Sequence, residues 1–100
     1  MNIFLVCNAG MSTSILVSKM QEEAKAQGLD AQIEAFSVEV LDRKVADADV
    51  ILLGPQIRHM LGDVEKTVAG KCPVGVIEMR DYGLINGKAV LAKALEMINK

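Results

Sequence analysis

The chain has 100 residues, 51% of them hydrophobic, and a formal net charge of −2. That length supports one domain over residues 1–100, and that aliphatic content offsets the ordering entropy that keeps polar chains disordered. With 3% aromatic residues and no basic stripe, nucleic-acid binding is excluded, and no apolar run approaches the ~20 residues of a membrane span. The amino-terminal Ile3-Phe4-Leu5-Val6 lacks the basic flank of a signal peptide, and Cys7 and Cys72 alone do not make a secreted disulfide framework. A cytoplasmic chain with reduced thiols and no membrane insertion of its own is expected.

In chain order, the first apolar run is Asn2 to Val6, ending at Cys7. It is apolar on both faces, as a central parallel strand must be. The turn Asn8-Ala9-Gly10-Met11 follows, and Ser12, Thr13 and Ser14 offer N-cap hydroxyls to a helix. Ile15, Leu16, Met20 and Ala24 form its inward stripe, with Lys19, Glu22 and Glu23 outward, and Gly28 stops it. The second run, Ala31 to Phe36, alternates apolar and polar residues like an edge strand with one half-solvated face. Ser37 caps a short helix with Val38, Leu41 and Val45 inward, and Asp47-Ala48-Asp49 is a loop. The third run, Val50 to Leu53, is wholly apolar and ends at Gly54-Pro55. Met60, Leu61, Val64 and Val68 mark a helix that stops near Gly70. Val74 to Ile77 is the fourth run, Asp81-Tyr82-Gly83 a loop, and Asn86 caps a last helix with Val90, Leu91, Ala94, Leu95 and Ile98 inward.

Strands that alternate with helices predict an α/β fold on an open four-stranded parallel sheet. Two wholly apolar strands and one alternating strand give the order 2-1-3-4. Ligands of such sheets bind beyond the carboxyl ends of the strands, where the order reverses. That places the turns after Cys7 and after Leu53 at the site.

A cysteine that closes an apolar strand is most often core. Cys7, however, lies where a strand feeds a turn and a helix start, and the unpaired N–H groups and positive end of that helix favour a negatively charged sulfur. Asn8, Ala9, Gly10, Met11, Ser12, Thr13 and Ser14 form the candidate phosphate-binding loop: small residues admit close backbone approach, and successive N–H groups make an anion nest. An ordinary strand–helix loop is the plain alternative. Neither the Gly-x-x-x-x-Gly-Lys-Ser/Thr loop nor Gly-x-Gly-x-x-Gly occurs. The pattern Cys, five residues, Arg, Ser/Thr of cysteine phosphatases is matched except that Thr13 stands in place of Arg, the group that clamps phosphate oxygens. A cradle without its clamp suits a carrier better than a hydrolase. His59 reads as a solvated helix residue, Asp81 as a turn residue rather than a catalytic acid, and Asp81 and Tyr82 could reach the site rim. Gln56 and Ile57 could border the cradle. A Cys7–Cys72 redox pair is disfavoured because no Cys-x-x-Cys exists.

Ile3 to Ser14, with its Cys-x-Ala-Gly-Met-Ser-Thr-Ser form, resembles the active-site segment of the IIB component of the bacterial sugar phosphotransferase system, lactose/cellobiose (chitobiose) branch. Val50-Ile51-Leu52-Leu53-Gly54-Pro55-Gln56-Ile57 matches that branch too, and the resemblance covers essentially the whole chain. It implies helices on both faces of the sheet, as in low-molecular-weight phosphatases. It implies that Cys7 is the nucleophile and that Asn8 to Ser14 hold the phosphate. The donor would be a phosphohistidine on the IIA component. The acceptor would be a sugar of the β-glucoside, cellobiose, chitobiose or lactose type, bound in the membrane component IIC. Neither metal nor other cofactor is expected. Met11, Ile57 and Met60 are the expected apolar part of the docking face. A cysteine-dependent phosphatase or arsenate-type reductase is the alternative.

Overall fold

The computed structural model describes residues 1–7 and 11–99, with the side chains of Met11 and Ser12 outside the description. Strand β1 (Asn2–Cys7) leads to helix α1 (Met11–Ala26), then β2 (Gln32–Ser37). A 3₁₀ turn (Val38–Val40), helix α2 (Leu41–Lys44) and a second 3₁₀ turn (Val45–Asp47) return the chain to β3 (Val50–Leu53). A 3₁₀ segment (Pro55–Met60) runs into α3 (Leu61–Val68), followed by β4 (Val74–Val76), the short α4 (Met79–Gly83) and α5 (Gly87–Ile98).

The sheet order is β2-β1-β3-β4 and every pairing is parallel. Each strand therefore ends on the same side, and the chain reverses direction across the sheet between β1 and β3. Alternation along β1 explains why both faces are covered. Ile3 and Leu5 point into a core with Leu16, Met20, Val90 and Leu91 from α1 and α5. Phe4 and Val6 point the other way, into a core with Leu41, Val64 and Val68. The two central strands are apolar over Ile3 to Val6 and Val50 to Leu53, where both their faces are buried. β2 keeps Gln32 and Glu34 exposed and Ile33 2% exposed, as an edge strand does.

Local chemistry sets the boundaries. Gly28 adopts φ +70 after α1, a backbone conformation that costs glycine nothing. Ser37 accepts from the Glu39 N–H at 3.3 Å, and Asn86 Oδ1 accepts from the Ala89 N–H at 3.1 Å, capping the segments that follow. The stop of α3 differs in detail: Ala69 takes the left-handed cap at φ 53 and Gly70 follows at φ +78.

Three expectations are corrected. α1 already begins at Met11, so Ser12, Thr13 and Ser14 lie inside its first turn and do not cap it. Ile15 is 47% exposed and does not belong to the inward stripe, because the stripe that meets the sheet runs Thr13, Leu16, Met20, Ala24 at helical spacing. Asp81, Tyr82 and Gly83 are helical in α4; five residues are too few for a periodicity to show.

Candidate functional site

Cys7 closes β1, half-buried and unpaired, beside Ser37 in the β2 register. On its other side the chain leaves β3 through Gly54, whose N–H donates to the Val6 carbonyl at 2.9 Å. A Cβ on Gly54 would sit 3.9 Å from Cys7 Cβ and 2.9 Å from Gln56 Oε1. The β3 exit is thus drawn close to the cysteine, and the exposed Gln56 folds its carboxamide back over Gly54.

Helix α1 starts four residues after Cys7. The N–H groups of its first turn, Met11 to Ser14, have no acceptor within the helix, and its positive end favours an anion. Asn8, Ala9 and Gly10 of the proposed loop lie outside the described residues, as do the side chains of Met11 and Ser12. Ser14 is exposed. Thr13 is not open to a ligand: it is 1% exposed, and its Oγ1 lies 2.8 Å from the Tyr82 hydroxyl. The position where a cysteine phosphatase would carry its arginine is therefore a buried hydroxyl pair.

Tyr82 enters from α4, beyond the carboxyl end of β4, and its ring is buried among Leu16, Ile77, Val90 and Leu91. Its sequence signal is slight. It is the single tyrosine of an aromatic-poor chain, and a buried tyrosine needs a partner for its hydroxyl. The other candidates are His59, Asp81 and Cys72. His59 is exposed at the end of the 3₁₀ segment. Asp81 lines a groove with Glu78, Ala89, Lys93 and Glu96, and no described residue of β1 or α1 borders it. Cys72 precedes β4, at the opposite end of the sheet from Cys7, so the topology separates the two thiols. Burial, and secondarily the Asp49 carboxylate, push the Cys72 thiol up.

The expected docking face also changes. Ile57 is 3% exposed and belongs to the core against Val64 and Val68. Met60 is half-buried, and the side chain of Met11 lies outside the description. The large apolar side chains the fold leaves exposed near this end are Ile15 at 47%, Met79 at 66% and Leu84 at 69%.

The open parallel α/β sheet carries Cys7 at the carboxyl end of its first strand, the edge where sheets of this class bind their ligands. The model of the family "PTS system, Lactose/Cellobiose specific IIB subunit" matches residues 2–93. The chain belongs to this family of phosphotransferase-system components. It is 47% identical to the galactose-specific EIIB component of Lactococcus lactis subsp. cremoris (strain MG1363), over 97% of the chain and 95% of the relative. It is also 47% identical, with the same coverage, to the cellobiose-specific EIIB component of Lactococcus lactis subsp. lactis (strain IL1403). The solution structure of a cellobiose-specific phosphotransferase IIB component from Borrelia burgdorferi superimposes with a TM-score of 0.83 at 42% identity, covering 99% of this chain and 92% of that one.

Proposed function

We propose that this chain, acting as one unit over residues 1–100, carries a phosphoryl group on Cys7 between the IIA component and a sugar bound in IIC. The observation that carries the reading is the placement of Cys7 at the sheet's carboxyl end, between the β3 exit and the start of α1. In the first step Cys7 Sγ attacks the phosphorus of the IIA phosphohistidine, the P–N bond breaks, and the thiol proton ends on the leaving imidazole. In the second a sugar hydroxyl attacks, the S–P bond breaks, and the hydroxyl proton ends on the leaving sulfur, which regenerates the thiol. Such transfer depends on in-line positioning and on stabilising the equatorial oxygens. Backbone N–H groups of residues 8 to 14 and the positive end of α1 supply that stabilisation in both steps. Ser14 adds an exposed hydroxyl. Thr13, where a cysteine phosphatase carries its arginine clamp, is buried, and Asp81 lines a separate groove, which supports a carrier over a hydrolase.

The sugar is of the β-glucoside, cellobiose, chitobiose or lactose type. Relatives named for galactose and for cellobiose are equally similar to this chain, which supports specificity residing in the membrane partner. Work at the cytoplasmic side, between IIA and IIC, fits a chain in which no described helix is long and apolar enough to cross a membrane. Reconstitution tests the reading. With phosphoenolpyruvate, the general phosphotransferase proteins, IIA and vesicles holding IIC, sugar phosphate should form only when this chain is added. Formation without it, or none with it across these sugars, contradicts the proposal.

A further inference from the structure

We infer that Tyr82 is a positioning residue that holds the first turn of α1 in register with Cys7, an inference that rests on Cys7 being the phosphoryl carrier. Thr13 is the one buried polar side chain among the described residues, and its hydroxyl and that of Tyr82 satisfy each other at 2.8 Å. A buried hydroxyl must be paired, but replacing both partners by apolar groups of the same shape is close to neutral for stability. What the hydroxyl pair adds over a Val–Phe pair is direction. Thr13 is the third residue of α1, so a fixed side chain there fixes the rotation of the turn that carries the helix's free N–H groups.

The other half of the clasp is held independently. Tyr82 N–H donates to the Glu78 carbonyl at 3.0 Å, and the Tyr82 carbonyl accepts from the Ile85 N–H at 3.1 Å. Ile85 sits at φ 52, a left-handed backbone that a β-branched residue adopts only where its surroundings force it. Asn86 N–H to the Asp81 carbonyl at 2.9 Å and Gly87 N–H to the Ile85 carbonyl at 3.0 Å close this turn. Asn86 then caps α5. The strained turn and the core around the ring thus present the Tyr82 hydroxyl at one point, and α1 is keyed to it across 69 residues of chain.

The test uses Tyr82→Phe, Thr13→Val and the double variant. Three rates are read for each: single-turnover transfer from phosphorylated IIA to Cys7, iodoacetamide alkylation of Cys7 near neutral pH, and alkylation of Cys72. Each single variant should slow transfer roughly ten- to a hundredfold through misplacement of the donors. The KM for phosphorylated IIA should not change, because neither hydroxyl is on the surface. Cys7 alkylation should fall roughly two- to fivefold, the scale of a helix-end charge interaction. Cys72 alkylation should not change, and the double variant should be no slower than either single one. Wild-type Cys7 rates in both single variants would overturn the inference. So would parallel acceleration of Cys72, which signals general loosening, or additive losses in the double variant. If wild-type Cys7 accepts no phosphate while the single variants still slow its alkylation, the carrier reading falls and the positioning of α1 against Cys7 stands.

Discussion

Cys7 and Cys72 have the same side chain and opposite surroundings. Cys7 ends β1 at the carboxyl end of the sheet, four residues before α1, whereas Cys72 lies at the other end beside Pro73, half-buried and near Asp49. Because burial and Asp49 raise the Cys72 thiol, the folded chain keeps that proton where an unfolded chain would lose it. Any stability this contributes is present below the ordinary thiol range and is lost as the pH rises through the folded value. Alkylation of Cys72 in the native protein should therefore stay slow until well above that range, and should titrate as a free thiol in denaturant; identical profiles in the two states would contradict the burial. Thr13 shows where reading by spacing alone runs out. The sequence places it where a phosphatase has arginine, which suggests that Thr13→Arg would install a clamp. With Thr13 1% exposed against Tyr82, the guanidinium has no room and loses its water. Thr13→Arg should lower Tm by several degrees without conferring aryl-phosphate turnover, and a stable variant with brisk turnover would refute this. The 13–82 contact was not legible beforehand because it joins residues far apart in sequence through a helix too short to announce itself.

At the scale of elements, the strands were legible because burial on both faces leaves an uninterrupted apolar run, as in Val50 to Leu53, and burial on one leaves alternation, as in Gln32 to Phe36. The helix faces were legible where three or more turns repeat, which is why Leu16, Met20 and Ala24 were placed correctly. Ile15 was misassigned because apolar character alone does not decide exposure at a helix start close to a site. Close packing between helices was also invisible. A Cβ on Gly87 would lie 2.7 Å from the backbone carbonyl carbon of Lys19 and 2.8 Å from the Met20 N. Backbone cannot swing aside as a flexible side chain can, so Gly87→Ala should destabilise the protein by about 1–3 kcal/mol through overpacking. Gly54→Ala meets only the mobile tip of Gln56 below 3.0 Å and should be nearly neutral. Urea unfolding of the pair checks the contrast, and equal midpoints would contradict it.

For the molecule as a whole, the sheet order followed from two wholly apolar strands and one alternating strand, and the structure has that order. The chemistry is less fully written in the fold, because a parallel sheet of this order fixes where a ligand binds and not what is done to it. Ile15, Met79 and Leu84 are large apolar side chains that the fold leaves exposed. The most direct test of the central claim is peptide mapping by mass spectrometry after incubation with phosphoenolpyruvate, the general phosphotransferase proteins and IIA. One added phosphate should map to the peptide containing Cys7. It should be absent in Cys7→Ser, whose hydroxyl is a far weaker nucleophile, and retained in Cys72→Ser and His59→Ala. Phosphate on His59, or labelling that survives Cys7→Ser, would contradict a phosphoryl carrier built on Cys7.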